Sequence, residues 1–384
     1  MARIRTLINN STEPLRLILL SVVWISLHIY AARPLLVAAA AAGITPLVAW
    51  GLVLMMPFVS ILPLVARRTH SPRLRSLIHW AGYASLSIFS MLLVLVLMSD
   101  VVRVSLFVLR QSVNARTVSF VTLIAAALLT VIGLFQARHP QVVRLRADIR
   151  DMPEEVEGYR IVQWSDVHVG PTIQRCFVES LVDRTNGLDA DAIVITGDLI
   201  DGYVEDLRDA VQPLARLRAT DGVFFVTGNH EYYWRASEWV KEIARLGITF
   251  LKNEHRLIRR GAATLVMAGV TDPVGRDTHK SDPAAALAGA PDNAVKVLLA
   301  HRPQVAAAAA HHGAHLQLSG HTHGGQFFPF NLIIRWFQPV VAGLHRVGDM
   351  LLYVSRGTGY WGPPSRLGVG GEITVIELVR RKGS

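Results

Sequence analysis

The sequence of 384 residues has little charge and almost no cysteine. Only 18% of its residues are charged, whereas soluble domains carry about 25%. The low charge and a mean hydropathy of +0.34 argue against an ordinary soluble protein, and 51% hydrophobic residues exclude a disordered one. Cys176 is the one cysteine, which excludes a disulfide framework and cysteine-rich zinc sites. We interpret this thiol as a small, half-buried packing residue.

Acidic residues and lysine are nearly missing from the first 137 residues. This part contains 11 arginines, no lysine, and only Glu13 and Asp100 as acids, so it carries +9 of the net charge of +10. A nucleic-acid-binding face would place positive charge on a polar domain, whereas these arginines flank apolar runs. We therefore expect a lipid bilayer as a partner and no nucleic acid.

Four apolar runs approach the about 20 residues that cross a bilayer as a helix. They predict an α-helical transmembrane bundle over residues 1–137, with helices near 17–32, 44–65, 77–98 and 118–137. The sequence allows three to five membrane spans, because residues 35–65 are too many for one upright helix and too few for two. Residues 101–113 alternate arginine with apolar residues, which is typical of an interfacial segment. A cleaved signal peptide is the alternative for the first run.

Arginine counting predicts the orientation in the membrane, because cytoplasmic loops are enriched in arginine and lysine. With four spans, 11 arginines lie on one side, including Arg67 and Arg68 of the second loop, and four on the other. We therefore predict a multi-pass protein of the cell (inner) membrane whose C-terminal domain is cytoplasmic. An odd number of spans would reverse the side of that domain.

From residue 138 onward the pattern changes to short β-rich runs separated by amphipathic helical stretches. Strands that alternate with helices predict an α/β domain over residues 138–384. The predicted strands are 160–164, 192–196, 223–227, 296–300 and 315–318, and the helical patterns include 177–185, 207–217 and 236–246.

Each of these five strands ends in residues that can bind a metal ion. Strand ends of an α/β sheet meet at one edge, so donors distant in sequence can come together there. The donors are oxygen and nitrogen atoms without a thiolate, which suits Mn²⁺, Fe²⁺, Zn²⁺ or Co²⁺. They exceed one tetrahedral site and are enough for two ions that share a carboxylate. The candidate ligands are Asp166, His168, Asp198, Asn229, His301, His321 and His323.

The motifs around these donors resemble those of the calcineurin-like metallophosphoesterase superfamily and occur in the same order. They are Asp166-x-His168, Gly197-Asp198, Gly228-Asn229-His230-Glu231, His301 and Gly320-His321-x-His323. Residues 158–163, 324–326, 357–367 and 372–373 resemble its membrane-associated bacterial branch, which includes relatives acting on lipid-linked substrates. The resemblance covers residues 140–384 and implies a four-layer αββα sandwich.

The resemblance also implies two divalent metal ions and a role for each motif residue. Asp198 would bridge both ions, and a hydroxide between them would be the nucleophile. His230 would stabilise the phosphate or protonate the leaving oxygen, and Glu231 could orient His230. The first ion would be held by Asp166, His168 and His323, and the second by Asn229, His301 and His321.

The resemblance therefore implies a membrane-anchored dinuclear phosphoesterase that hydrolyses P–O bonds. A narrower alternative is a pyrophosphohydrolase or phosphatase for a lipid-linked intermediate, such as a UDP-acyl sugar. A non-catalytic binding module is disfavoured because every motif residue is present. A transporter is disfavoured because the predicted spans contain few ionisable groups apart from His28.

Several residues near the motifs keep two interpretations each. Asp201 could support the site or cap a turn. The five aromatic residues in 327–341 could form a lip against the bilayer or belong to the domain core, and residues 360–364 could line the cleft. Each of three arginines could either bind a substrate phosphate or lie on the solvated surface: Arg175, Arg302 and Arg366.

Overall fold

The computed structural model describes residues 2–66, 69, 71–275 and 279–381, with the backbone alone for residues 2–13. It contains two compact units, Met1–Ile132 and Gly133–Ser384. Arg67 and Arg68, which entered the arginine count, lie outside the described residues.

The first unit is helical. Four of its helices contain a segment long and apolar enough to cross a membrane, which confirms the expected four apolar helices. These segments are Pro14–Ala31, Pro46–Ala66, Pro72–Val108 and Ala115–Arg138. The helices are α1 (Ala2–Ala31), α2 (Arg33–Ala41), α3 (Pro46–Ala66), α4 (Pro72–Val108) and α5 (Ala115–Arg138).

Two details of the helical region differ from expectation. The ambiguous stretch 35–65 divides into the short helix α2 and the single long helix α3. Residues 101–108 of the expected interfacial segment belong to α4, which continues without interruption to Val108. Residues 99–108 contain neither proline nor glycine, so nothing in the backbone stops the helix there.

His28 is fully buried among α1, α3 and α4. Its Nδ1 lies 2.9 Å from the carbonyl oxygen of Trp24 and its Nε2 lies 3.3 Å from Oγ of Ser60. The ring stacks on Phe89 with 3.7 Å between the centroids. Both ring nitrogens therefore have partners inside the bundle, which gives this histidine a packing role.

The second unit contains two six-stranded sheets. Most neighbouring strands are parallel, and the antiparallel pairs are β12 with β2, β10 with β11, and β6 with β7. The first sheet has the order β1 (Gln141–Arg150), β12 (Glu372–Arg381), β2 (Arg160–Trp164), β3 (Ala192–Thr196), β4 (Val223–Val226) and β5 (Thr249–Phe250). The second has the order β10 (Gly343–Val347), β11 (Met350–Val354), β9 (Leu316–Ser319), β8 (Val295–Leu299), β7 (Ala263–Gly269) and β6 (Glu254–Arg260).

Helices cover the outer face of each sheet, and three apolar clusters fill the spaces between layers. Val162 and Ile193 point outward against helices of the first sheet, while their neighbours Ile161 and Val194 point inward against the second sheet. This alternation follows from the two-residue period of a strand. The layers run helix, sheet, sheet, helix, which confirms the expected αββα sandwich. The helices are α6 (Arg175–Asn186), α7 (Val204–Val211), α8 (Asn229–Tyr233), α9 (Ala236–Arg245), α10 (Pro283–Leu287), α11 (Ala306–His311) and α12 (Phe330–Ile333).

Candidate metal centre

The structure brings six of the seven predicted ligands together, from two sheets rather than from the edge of one, and the seventh, Asn229, follows the end of β4. The ends of β2, β3 and β4 supply the donors of the first sheet, and the ends of β8 and β9 supply those of the second. The two sheets face each other, so their carboxyl ends enclose a site that neither sheet forms alone. Three groups of side chains there are close enough to hold metal ions.

The first cluster consists of Asp166, His168 and His323. The two Nε2 atoms of the histidines are 3.0 Å apart, and Nε2 of His323 is 3.5 Å from Oδ1 of Asp166. Burial lowers the pKa of His168 to about 3 and holds the pKa of His323 well below its usual value. Both rings are therefore neutral at pH 7, which is the form that binds a metal ion.

The second cluster consists of Asp198, His301 and His321. Nε2 of His301 lies 3.2 Å from Oδ2 of Asp198 and 3.2 Å from Nδ1 of His321. Nδ1 of His301 lies 2.8 Å from the carbonyl oxygen of Thr196, so its proton has an acceptor and Nε2 is directed into the site. Burial alone would lower the pKa of His301, yet the charge of Asp198 raises it to about 10. That negative charge equally favours a bound cation.

Asn229 offers a buried donor atom that could coordinate a cation. Its Oδ1 atom is buried and has no hydrogen-bond partner among the described residues. A buried amide oxygen without a partner is costly in a folded protein, and coordination of a cation would satisfy it. The donor set thus fits a divalent metal ion at this position.

Asp198 lies between the two clusters. Its Oδ1 accepts a hydrogen bond of 2.8 Å from the backbone N–H of His230, and its Oδ2 lies 3.9 Å from Nε2 of His168 and 3.2 Å from that of His301. Burial would raise the pKa of this carboxyl group, but the facing histidines, His301 foremost, hold it below its usual value. An ionised carboxylate that faces both clusters is suited to bridging two cations.

The backbone at the site is strained. Five candidate ligands have a positive φ, a region that residues other than glycine seldom occupy. Each such conformation costs of order 1–3 kcal/mol and persists when the surrounding structure imposes it. The φ values are 53° at Asp166, 55° at His168, 50° at Asp198, 75° at His321 and 52° at His323.

Close backbone approach explains the glycine before His321. A Cβ atom on Gly320 would collide with the side chains of Ser165 and Asp166. Because glycine has no Cβ atom, the two chains come close enough for the N–H of His321 to donate to the carboxylate of Asp166 at 3.0 Å. Gly320 therefore lets the end of β9 pack directly against the end of β2.

Asp201, and not Glu231, contacts the side chain of His230. Oδ1 of Asp201 lies 3.2 Å from Nδ1 of His230 and also accepts a 2.8 Å bond from Nε1 of Trp234. Burial would lower the pKa of His230, but the bond to Asp201 raises it. The expectation that Glu231 orients His230 is wrong.

Glu231 instead binds the backbone of the two loops that hold Asp198 and Asn229. Its carboxylate accepts bonds of 2.6, 3.0 and 2.8 Å from the N–H groups of Gly228, Asp198 and Leu199. It is fully buried, and burial raises its pKa to about 7. Its role is therefore to fix the shape of the ligand-bearing loops.

Arg366 is fully buried directly behind His323, so both interpretations offered for it are wrong. Its Nε donates to the carbonyl oxygen of Gly359 at 2.8 Å and its Nη1 to that of His323 at 2.9 Å. Arg302 pairs with Asp272 at 2.8 Å, and Arg175 is an exposed partner of Glu179. An isolated arginine gives no sequence signal of burial, so Arg366 could not be identified in advance.

The aromatic residues near the site divide into buried and exposed ones. Tyr360 and Phe327 are buried, and the ring centroid of the half-exposed Trp361 is 5.8 Å from that of His230. Phe330 and Trp336 are exposed, so the core interpretation of residues 327–341 fails beyond Phe327.

Residues 159–325 match a family model described as calcineurin-like phosphoesterase. An "Uncharacterized metallophosphoesterase" of Aquifex aeolicus is 31% identical over 249 residues, which are 64% of this chain and 93% of that protein. A "Transmembrane protein with metallophosphoesterase domain" of Danio rerio is 38% identical over 268 residues, which are 67% of this chain. The chain spans 61% of the length of that relative.

Among solved structures, the phosphopantetheinyl hydrolase of Mycobacterium tuberculosis is similar, with a TM-score of 0.33 and 11% identity over 54% of this chain and 91% of that one. A similarity this low carries no information about the substrate.

Proposed function

Because this chain belongs to the calcineurin-like phosphoesterase family, we propose that it is a membrane-anchored phosphoesterase with a dinuclear metal centre that hydrolyses P–O bonds. The observation that carries the proposal is the position of Asp198, whose carboxylate faces two clusters of buried ligands. The four apolar helices supply the anchor.

The ligands would divide between two ions that share Asp198. When bound, two divalent cations supply a hydroxide nucleophile at neutral pH and neutralise the charge of the phosphate. Mn²⁺, Fe²⁺, Zn²⁺ and Co²⁺ all suit this donor set. The first ion would be held by Asp166, His168 and His323, and the second by Asn229, His301 and His321.

His230 would act as the general acid for the leaving oxygen. Its Nε2 lies 4.0 Å from Oδ2 of Asp198 and is directed into the site, while Nδ1 donates to Asp201. That bond keeps the ring oriented and stabilises the protonated form, from which Nε2 can give its proton to the leaving oxygen. Trp234 fixes Asp201 in turn.

A second candidate is a narrower one, a pyrophosphohydrolase or phosphatase for a lipid-linked intermediate such as a UDP-acyl sugar. It is supported by the exposed aromatic residues that follow the ligand His323 and by Trp361 beside His230. A screen of mono-, di- and pyrophosphate esters, including phospholipids, in detergent would separate the two candidates. Turnover confined to water-soluble esters would eliminate the narrower one.

The test of the proposed function is the substitution Asp198→Asn in the full chain. We expect wild-type protein to bind two Mn²⁺ ions per chain by elemental analysis and to hydrolyse an aryl phosphoester, and the variant to lose at least one ion and all turnover. Asp201→Asn is the matched control, because it alters a neighbouring half-buried carboxylate outside the ligand set and should retain both ions.

Two outcomes would contradict the proposal. Full activity of Asp198→Asn would refute the bridging role of this residue. Wild-type protein that binds two ions and hydrolyses none of the esters in the screen would instead support the non-catalytic binding module.

A further inference from the structure

An exposed apolar surface begins seven residues after the ligand His323. It consists of five large side chains on α12 and on the short 3-10 helix Ile334–Trp336 with the residue that follows. Exposed apolar groups this close together usually mark a contact with another molecule or a membrane. We call this surface the apolar lip; its residues and their exposed fractions are Phe330 50%, Leu332 55%, Ile333 37%, Trp336 83% and Phe337 74%.

The chain around the apolar lip is basic. Residues 327–347 contain Arg335 and Arg346 and no acidic residue. Arg335 and His345 line a cavity of ≈ 380 Å³ next to the lip; Arg356 lines it too but is paired with the buried Glu372 at 2.6 Å. Apolar residues beside basic ones are typical of surfaces that bind anionic bilayers, where the apolar groups enter the interface and the arginines meet lipid phosphates.

Within the second unit, hydrogen bonds connect the chain just before the apolar lip to residues 366–367, and connect these residues to α5, the last apolar helix. The N–H of Phe328 donates to the carbonyl oxygen of Leu367 at 3.0 Å, and the N–H of Arg366 donates to that of Gly133 in α5 at 3.0 Å. Gly133 precedes the end of α5 at Arg138 by five residues, or about 7.5 Å along the helix axis. Residues 366–367 therefore contact the last turns of α5, within the second unit.

We propose that the apolar lip inserts into the interfacial layer of the bilayer and seats the catalytic unit on an anionic leaflet. The occupant of this surface is lipid, with acyl chains against Trp336 and Phe337 and phosphate groups near Arg335. The proposal concerns how the unit meets the membrane and does not depend on the number of metal ions or on turnover.

Insertion of the apolar lip would also fix the distance between the membrane surface and the entrance of the metal site. Nε2 of Gln326 donates to the carbonyl oxygens of Trp361 at 2.9 Å and Pro363 at 3.1 Å, so the chain leading to the lip is bonded to the loop beside His230. With the lip in the interface, we expect the bonded loop that carries Trp361 to be held near the membrane surface. A phosphoester carried by a lipid could then reach the site without leaving the bilayer.

The test measures the depth of single nitroxide labels on the full chain in nanodiscs of neutral lipid with and without anionic lipid. Cys176→Ser removes the native thiol, and Trp336→Cys or, in a second variant, Phe337→Cys introduces the label. Leu257→Cys on β6 is the matched control, because Leu257 is an exposed apolar residue of the same unit, 52% exposed. Oxygen enriches in lipid and a charged nickel chelate stays in water, so their collision rates report the surroundings of each label.

We expect the ratio of oxygen to nickel collisions to be several-fold higher at 336 and 337 than at 257, and to rise with anionic lipid. Equal ratios at all three positions would show a water-exposed lip and overturn the proposal. Labels at 336 and 337 that neither reagent reaches would show that protein covers the lip, which would also overturn it. Turnover by the same samples reports on the proposed function separately, so failure of one is distinguishable from failure of the other.

Discussion

Asp201 and Glu231 are both carboxylates within three residues of a predicted ligand, but they act on different groups. Asp201 bonds the imidazole of His230, whereas Glu231 bonds three backbone N–H groups. Glu231 belongs to a motif, and Asp201 lies three residues after the motif residue Asp198. Which atom each carboxylate reaches depends on how the loops after β3 and β4 turn, and this is a property of the folded chain.

The roles of His230 and Asp201 predict a dependence on the leaving group. A general acid matters most when the leaving oxygen is basic, so His230→Ala should lower turnover of an alkyl phosphoester by about 10²–10⁴-fold and that of a nitrophenyl ester far less. Asp201→Asn should show the same pattern with smaller losses. Steady-state rates on both esters, with metal content as a control, measure this. Equal losses on both esters would exclude an acid role.

Replacement of the buried side chain of Arg366 should lower the stability of the protein. Arg366→Met removes the donors for the carbonyl oxygens of Gly359, His323 and Arg356, and one buried acceptor left unsatisfied costs about 1–3 kcal/mol. We expect a melting temperature lower by several degrees and weaker retention of metal ions, since His323 loses its support. Arg175→Met, at an exposed arginine paired with the partly exposed Glu179, is the control. Unchanged melting and metal content would contradict the supporting role.

At the scale of elements, the strands that were predicted are those that end in the donor residues. Apolar continuity alone does not distinguish them, because β7 and β11 are equally buried and were not predicted. The runs ending at the site, β2, β3, β4, β8 and β9, lie in the interior of a sheet and are nearly fully buried. Buried parallel strands appear in a sequence as continuous apolar runs. The edge strand β1 instead alternates charged and apolar residues, and its pairing with β12 joins residues more than 200 positions apart.

An ion pair on helix α9 should make the stability of the protein depend on pH. Glu242 is buried and accepts bonds of 2.6 and 3.1 Å from Arg245, which hold its pKa below the usual value of a glutamate, about 4.3. Because the folded pKa is the lower one, the pair stabilises the fold above the unfolded pKa, and this contribution is lost as the pH falls through the folded pKa. The difference in melting temperature between wild type and Glu242→Gln should therefore be largest at neutral pH and shrink below a pH of about 4. A constant difference from pH 7 to 3 would show that the charge of Glu242 is not involved.

At the scale of the whole molecule, we propose that the protein is a multi-pass protein of the inner membrane and that its C-terminal domain faces the cytoplasm. Support comes from the even number of apolar helices and from the arginine asymmetry. Cys176, which we expected to be a half-buried packing residue, is exposed on α6 and offers a native probe.

A membrane-impermeant maleimide should label Cys176 in lysed bacterial cells that express the protein and leave it unlabelled in intact spheroplasts. The Cys176→Ser variant controls for background labelling. Equal labelling of intact and lysed cells would place the domain on the outer side and imply an odd number of spans.

Short-range patterns in the sequence were sufficient for the four apolar helices and the five strands, and they also led to the prediction of eight site residues. Apolar length, strand burial and the donor after each strand are all local properties of the chain, so one sequence displays them. The pairing of two sheets, the burial of Arg366, the bond between Asp201 and His230, and the exposure of the apolar lip depend on contacts between distant segments. Only the tertiary structure decides these, because the free energy of such a contact depends on the surroundings that the fold assembles around it.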